Sequence, residues 1–219
     1  MAQQIMIIGM GRFGMSLART LSERGAEVLA VDSRRALIDE AADFAAEAVA
    51  VDATDEVELA RLHPEQRDAV VCAIGGESKE ASIICTALLR QMGAKLVIAR
   101  AADRTHQRIL KLVGAHQIVN PEQEFGSRFA NRLLYRGLIA DSVFGSDLQL
   151  TEIAVQPSMV GRSLVELALP KRFGVLVAAI RRGEGGKLSQ PSPTEQLKEG
   201  DNLVIVSSET ALTNLMKGV

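Results

Sequence analysis

The 219-residue chain has no tryptophan, one tyrosine and six phenylalanines, so aromatic residues make up only 3% of it. An interior without large rings must be filled by Val, Ile, Leu and Ala, which suits a parallel sheet covered by helices. Cysteine is almost absent: Cys72 and Cys85 are the whole complement. One lies in an apolar run that reads as a strand and the other in a helical pattern. They read as buried thiols of a reducing compartment, with a disulfide or a reactive pair as the lesser alternative. The net charge of −2 lacks the basic excess of a broad nucleic-acid footprint, so no nucleic-acid partner is expected. No apolar run approaches the roughly 20 residues that span a bilayer, and the chain enters a strand at once without a signal-peptide pattern. The expectation is a cytoplasmic protein that reaches any membrane through a partner.

What the sequence has in quantity is aliphatic residue, within a hydrophobic fraction of 47%, enough to bury a substantial core. Its distribution is ordered. Apolar runs at Ile5–Ile8, Val28–Val31, Val49–Val51, Ala69–Ile74, Leu96–Ala99 and Ile118–Val119 alternate with helical patterns over Phe13–Arg24, Arg35–Phe44, Ser78–Met92 and Thr105–Val113. Gly25, Gly93 and Gly114 stand where helices would stop. Six short runs joined by short connections predict an α/β fold, a doubly wound parallel sheet with helices on both faces.

Gly9-Met10-Gly11-Arg12-Phe13-Gly14 follows the first strand and opens the first helix. The first glycine permits the tight turn, the second lets backbone approach a phosphate, and the third lets helix pack closely on strand. The helix start then offers amide donors and a positive dipole end to the anion. Asp32, followed by Ser33, ends the next strand and is placed to accept hydrogen bonds from ribose hydroxyls. A carboxylate there repels a 2′-phosphate, so a free ribose is preferred, although Arg34 and Arg35 weaken that preference. A capping role is the plainer alternative for Asp32. Asp52-Ala53-Thr54 ends the third strand on the same edge, where Asp52 either meets an adenine amino group or shapes a turn.

These residues resemble the KTN/RCK family of potassium-transport nucleotide-binding and conductance-regulating domains. The resemblance rests on an ordered set of motifs: I-I-G-M-G-R-F-G, A-V-D at Asp32, V-D-A-T at Val51–Thr54, A-I-G at Ala73–Gly75, V-I-A-R-A at Val97–Ala101 and G-A-H-Q-I-V-N-P-E at Gly114–Glu122. It covers about residues 3–140 and implies a Rossmann-type six-stranded domain over 1–140 and a small α+β RCK_C-like domain over 141–219. His116 departs from the acidic residue expected in many relatives. The resemblance further implies ATP or ADP in the glycine-loop pocket, or NAD or NADH as in Trk-type regulators. Arg12 would face the terminal phosphates, with Ile74, Gly75 and Arg100 beside the nucleotide, and Glu122 near the phosphates and an associated cation such as Mg2+. The implied partners are a membrane potassium channel or transporter subunit and further copies of the chain, a homodimer building an octameric ring at the inner face of the membrane. Cyclic di-AMP is the implied ligand of the second domain, near Arg172 and Pro191.

Gln123–Ile139 reads as one helix with Phe125, Phe129, Leu133 and Leu134 on one side, which in the family crosses to a partner subunit. Beyond Asp141–Ser146 the texture changes. A strand is predicted over Leu148–Val155, a helix over Gly161–Leu169, a strand over Val175–Ile180, a turn at Gly183–Gly186, a strand over Leu203–Val206 and a terminal helix. Lys171, Arg172, Arg181, Arg182 and Lys187 read mostly as a solvated face. An NAD-dependent oxidoreductase shares the glycine loop and is the rival class. His63, His106 and His116 have no convincing catalytic partner in sequence, and no metal-ligand cluster shows, so no enzymatic activity is expected.

Overall fold

In a computed structural model, which describes residues 2–134, 138–144, 148–183 and 185–218, the chain divides into two compact units, Met1–Gln123 and Glu124–Val219. The first unit holds six parallel strands: β1 (Gln4–Ile8), β2 (Glu27–Asp32), β3 (Glu47–Ala50), β4 (Ala69–Cys72), β5 (Val97–Arg100) and β6 (Gln117–Val119). Their order is β3-β2-β1-β4-β5-β6. The central strand β1 shows why. Ile5 and Ile7 point into one apolar cluster with Val28, Ala30 and Val71, while Met6 and Ile8 point into another with Leu29, Val31, Val70 and Cys72. A strand buried on both faces needs a helical layer over each.

The helices supply those layers. Ala18 of α1 (Arg12–Glu23) and Ile38 and Ala41 of α2 (Arg35–Ala41) close one face. Leu59 of α3 (Glu56–Ala60), Cys85 and Leu89 of α4 (Lys79–Gln91) and Leu110 of α5 (Arg104–Leu112) close the other. Gly25, Gly93 and Gly114 follow their helices with φ of +86°, +77° and +100°, the left-handed backbone that ends a helix at little cost only in glycine. Because the chain winds in opposite directions from β1 and from β4, the carboxyl ends of those two strands flank a topological switch point.

Two expectations are corrected here. α6 runs over Pro121–Leu134 and does not reach Ile139; residues 138–144 form β7 (Leu138–Phe144), paired antiparallel with β8 (Leu148–Ala154). The helical spacing of Leu133 and Leu134 runs on into Ile139 by coincidence, whereas the backbone from Leu138 finds its donors and acceptors in a neighbouring strand. Gly145 and Ser146 of the Asp141–Ser146 segment, and Glu184 of the predicted Gly183–Gly186 turn, lie outside the described residues. His106, in the predicted Thr105–Val113 helix whose surface-like pattern suggests exposure, is buried: its Nδ1 accepts from the Ala102 amide at 3.2 Å, and Asp103 caps α5 through the His106 amide.

The second unit is a five-stranded antiparallel sheet, adding β9 (Leu176–Arg181), β10 (Leu188–Ser189) and β11 (Asn202–Ser207) in the order β10-β9-β11-β8-β7. Ile153, Ile180, Leu203 and Ile205 share its core with Leu167, Leu169, Leu212 and Leu215. The predicted Gly161–Leu169 helix is two short ones, α7 (Leu164–Leu167) and α8 (Leu169–Phe173), broken at Ala168 with φ +47°. Pro170 explains the break, since it has no N–H with which to continue the first helix. α9 (Glu209–Gly218) ends the described chain. Arg181 and Arg182 are not a solvated face: Arg181 pairs with Glu152 at 2.7 Å, and Arg182 pairs with Glu195 at 2.6 Å and with Asp201.

The fully buried Met6 tests the two-layered core. Met6→Ala is expected to cost about 3 kcal/mol by lost burial and the cavity left behind, read as a lowered midpoint in urea unfolding. A loss under about 1 kcal/mol would mean that β1 is not packed on both faces as described.

Candidate functional site

The site is built by glycines before any side chain enters it. Gly9 ends β1 with φ +97° and lies so close to the β4 loop that a Cβ there would meet the Ile74 nitrogen at 2.9 Å. Gly14, one turn into α1, would place a Cβ 1.9 Å from the Gly9 carbonyl oxygen. Gly11 differs: a Cβ on it would meet nothing within 4 Å. The first and third glycines are packed into the fold and the second faces open space. Gly11 is also the N-cap of α1, with no side-chain capping bond and no acidic residue in the first turn. The leading amides of that helix therefore have no intrahelical partner and no cap.

They open into a cleft of about 770 Å³ at the switch point. Its walls bring together Gly9, Gly11, Arg12 and Phe13 from the loop, Asp32 and Ser33 after β2, Asp52, Ala53 and Thr54 after β3, Ile74 and Gly75 after β4, Arg100 at the end of β5, and Glu122 at the start of α6. Gly14 alone of the predicted site residues stands behind the wall, where it serves packing. Sequence reasoning missed Gly76, Ser78 and Ala81 in the lining. The second glycine of Gly75-Gly76 was the available signal: a Cβ on Gly76 would come within 3.0 Å of Ala102 Cβ.

Asp32 is buried, and its carboxylate is engaged on both oxygens. Oδ2 accepts from the Met10 amide at 2.7 Å and from Arg34 Nη2 at 3.3 Å; Oδ1 accepts from the Arg34 amide at 2.9 Å and from Arg34 Nε at 3.1 Å. Burial is the largest single influence on its pKa and raises it. The bonds from Arg34 and Met10, with the guanidinium's charge, together outweigh burial and hold the group below its ordinary 3.8. Asp52 lines the cleft and also makes a turn, accepting from the Thr54 amide at 2.9 Å and hydroxyl at 2.7 Å; these bonds hold its pKa below the ordinary value.

Arg100 spans the far wall. Its Nη2 donates to Glu122, its guanidinium lies 5.7 Å from the centre of the Phe13 ring, and its Nε is buried without a partner. Burial raises the Glu122 carboxyl, but its own amide and Arg100 outweigh that, so it too is held below the usual value. Among the described residues no group of three or more His, Cys, Asp or Glu is arranged to hold a metal ion, so a cation at Glu122 would need ligands from elsewhere. His116 stands against Arg90 at 2.6 Å and accepts from the Val97 amide at 2.8 Å. In the second unit Arg172 lies 4.9 Å from the centre of the Phe173 ring, and Pro191 is half-buried in a loop.

A parallel six-stranded sheet carrying a glycine loop at its switch point defines a Rossmann-type nucleotide-binding domain, here followed by a small antiparallel α+β domain. The TrkA-N domain pattern matches residues 5–121 and the TrkA-C domain pattern residues 150–217. The chain belongs to this TrkA-N/TrkA-C, or RCK, family. It is 34% identical to Ktr system potassium uptake protein A of Vibrio alginolyticus, over 99% of this chain and 98% of that one. To Ktr system potassium uptake protein C of Bacillus subtilis (strain 168) it is 32% identical, over 100% and 98%. Among solved structures, the GsuK channel bound to NAD superposes with a TM-score of 0.67 at 21% identity, covering 99% of this chain and 40% of that one, a likeness of fold.

The glycine geometry predicts opposite outcomes for two equally small changes. Gly14→Ala should destabilise the first unit by about 1–3 kcal/mol, since backbone must move to admit the methyl group. Gly11→Ala should cost less than about 1 kcal/mol, the difference between glycine and alanine at an N-cap with no steric conflict added. Chemical denaturation of the two variants side by side checks the contrast, and equal losses would refute it.

Proposed function

We propose that this chain is a cytosolic regulatory subunit of a potassium uptake system, which binds an adenine nucleotide in the switch-point cleft and gates a membrane-embedded partner. The observation that carries the nucleotide half is the uncapped, acid-free start of α1 opening into that cleft. Arg12 stands at the same helix start, where a cation meets the positive end of the dipole unfavourably unless an anion lies between them. The orphaned Nε of Arg100 is a second donor awaiting an acceptor. The potassium half is supported by the Ktr system proteins A and C, which this chain matches over nearly their whole length.

ATP or ADP fits the placing: phosphates against the glycine loop with Arg12 and Arg100, ribose towards Asp32, and adenine towards the β3 loop at Asp52. Mg2+ would be carried chiefly by the phosphates, with Glu122 as a protein ligand if it leaves Arg100. NAD or NADH is the second reading, favoured by the same acid at the ribose position. No chemistry on the nucleotide is proposed. The carboxyl groups lining the cleft with resolved shifts, Asp32, Asp52 and Glu122, are all held ionised and away from the near-neutral range that suits a general acid or base.

No described helix is long and apolar enough to cross a membrane, so the proposed place at the inner face depends on the partner. The nucleotide-binding domain, proposed to run from 1 to about 140 and so to take in α6, is proposed to pair with a second copy through that helix. Phe125 and Phe129 stack with ring centres 5.8 Å apart on α6 and, with Leu133 and Leu134, stay exposed. Such a contiguous apolar face marks an association surface. Growth to an octameric ring, and cyclic di-AMP near Arg172 and Pro191 of the second unit, extend the same reading.

Titration calorimetry with ATP, ADP, NAD, NADH and cyclic di-AMP, with and without magnesium, tests the ligand. ATP or ADP should bind, and Gly11→Ala, whose methyl group faces the cleft, should weaken binding at least about tenfold. Retention of no adenine compound at millimolar concentration would remove the basis of the proposal, and hydride transfer from NADH to any substrate would revive the oxidoreductase. Separately, Phe129→Asp should shift the mass measured by light scattering towards monomer; an unchanged mass would rule α6 out as the pairing surface.

A further inference from the structure

The Asp32 carboxylate offers about four lone-pair positions, and four donors already take them. Two are the amides of Met10 and Arg34, fixed by the backbone. The other two are Nε and Nη2 of the Arg34 guanidinium, whose side chain is 66% exposed. A ribose with free 2′ and 3′ hydroxyls brings two O–H donors, the same number as this fork. The diol and the fork therefore compete for the same acceptor positions.

We infer that Arg34 is a specificity-determining residue, an internal competitor that an adenosine ribose must displace from Asp32 on entry. This rests on the nucleotide reading of the cleft. The displaced side chain has somewhere to go. Arg34 and Arg12 line both the cleft and a neighbouring groove of about 620 Å³ between α1 and α2, whose wall includes Ser16, Leu37 and Glu40. Glu40, a carboxylate residue of that groove, is the acceptor assigned to the displaced guanidinium. Nucleotide affinity is thereby set below what Asp32 alone would give, and the penalty falls only on ligands that use the diol. Pairing with Arg34 also keeps Asp32 compensated when the cleft holds no ribose, since a buried carboxylate without partners is costly.

The test compares wild type, Arg34→Ala and Arg34→Met by calorimetry with ATP, 2′,3′-dideoxy-ATP and NADP. Both variants should tighten ATP by about fivefold, the scale of an exposed ion pair, while dideoxy-ATP stays within about twofold. Unchanged ATP affinity, equal weakening of both nucleotides, or a selective loss of NADP would each overturn the inference. The last would show instead that Arg34 grips a 2′-phosphate. A ligand-free readout separates the two claims. In the free protein the Arg34 guanidinium Nε–H should give a protected signal by NMR, lost on adding ATP and kept with dideoxy-ATP. Absence of that signal in the free protein overturns the inference even if ATP binds. Its presence, with no adenine nucleotide bound by any of the three proteins, overturns the nucleotide reading and the inference with it.

Discussion

The structure depends on one close approach of backbone to backbone. Gly9 touches the β4 loop at Ile74, and Gly14 touches Gly9, so α1 begins almost on the end of β1. Any side chain at either point would push the helix start away from the switch point and remove its amides from the cleft. The neighbouring features follow from this contact. The contact sets the start of α1 beside β1, and because the cap there, Gly11, brings no capping side chain, the dipole end is left for the cleft. The site is therefore a property of packing first and of side-chain chemistry second.

The charges around that opening are nearly balanced. Arg12, Arg34 and Arg100 stand with Asp32, Asp52 and Glu122 in one wall, and Arg34–Asp32 and Arg100–Glu122 are already paired. A ligand of the proposed kind, with a phosphate chain and a diol, would not simply neutralise such a site; it would exchange partners within it. Each exchange costs a pair and gains a pair, so small differences between ligands decide the outcome. That suits a protein that discriminates related nucleotides better than one that holds a single cofactor permanently.

Much of this was legible in the sequence, for identifiable reasons. β1, β2, β4 and β5 are buried on both faces, and that leaves unbroken aliphatic runs. The glycines that end α1, α4 and α5 take the left-handed backbone their identity suggests. The residues that line the cleft after β2, β3, β4 and β5 stand at the carboxyl ends of strands that converge on one edge, so the end of a run marks a position on that edge; Glu122, at the start of α6, is named only through the family resemblance. Failures occurred where local pattern carried no register. α3 is five residues long, too short for periodicity, although Asp55 caps it and Leu59 buries beneath it. The helix predicted over Gln123–Ile139 overruns the first two residues of β7, because nothing local ends the pattern of Phe125, Phe129, Leu133 and Leu134 and only pairing with β8 decides otherwise. The occupation of Asp32 by Arg34 was not legible either: the two are neighbours in sequence, but whether a guanidinium folds back on a carboxylate depends on the turn between them.

α6 gives the proposed regulation a physical route. It starts at Pro121, with Glu122 held by Arg100 in the cleft wall, and continues into the exposed pair Phe125 and Phe129. Glu122 and Phe125 are three residues apart on α6, the spacing that makes two side chains neighbours on a helix surface. A ligand that competes for Arg100 changes what holds the first turn of α6, and the face proposed to meet a second copy begins one turn later. Differential contact of this kind is what allows a ligand to bias an assembly between two states. A diphosphate and a triphosphate differ in how far their charge extends from the glycine loop towards Arg100. In the proposed regulation, the Arg100–Glu122 pair is the point in the cleft where the length of a bound phosphate chain would bear on the first turn of α6.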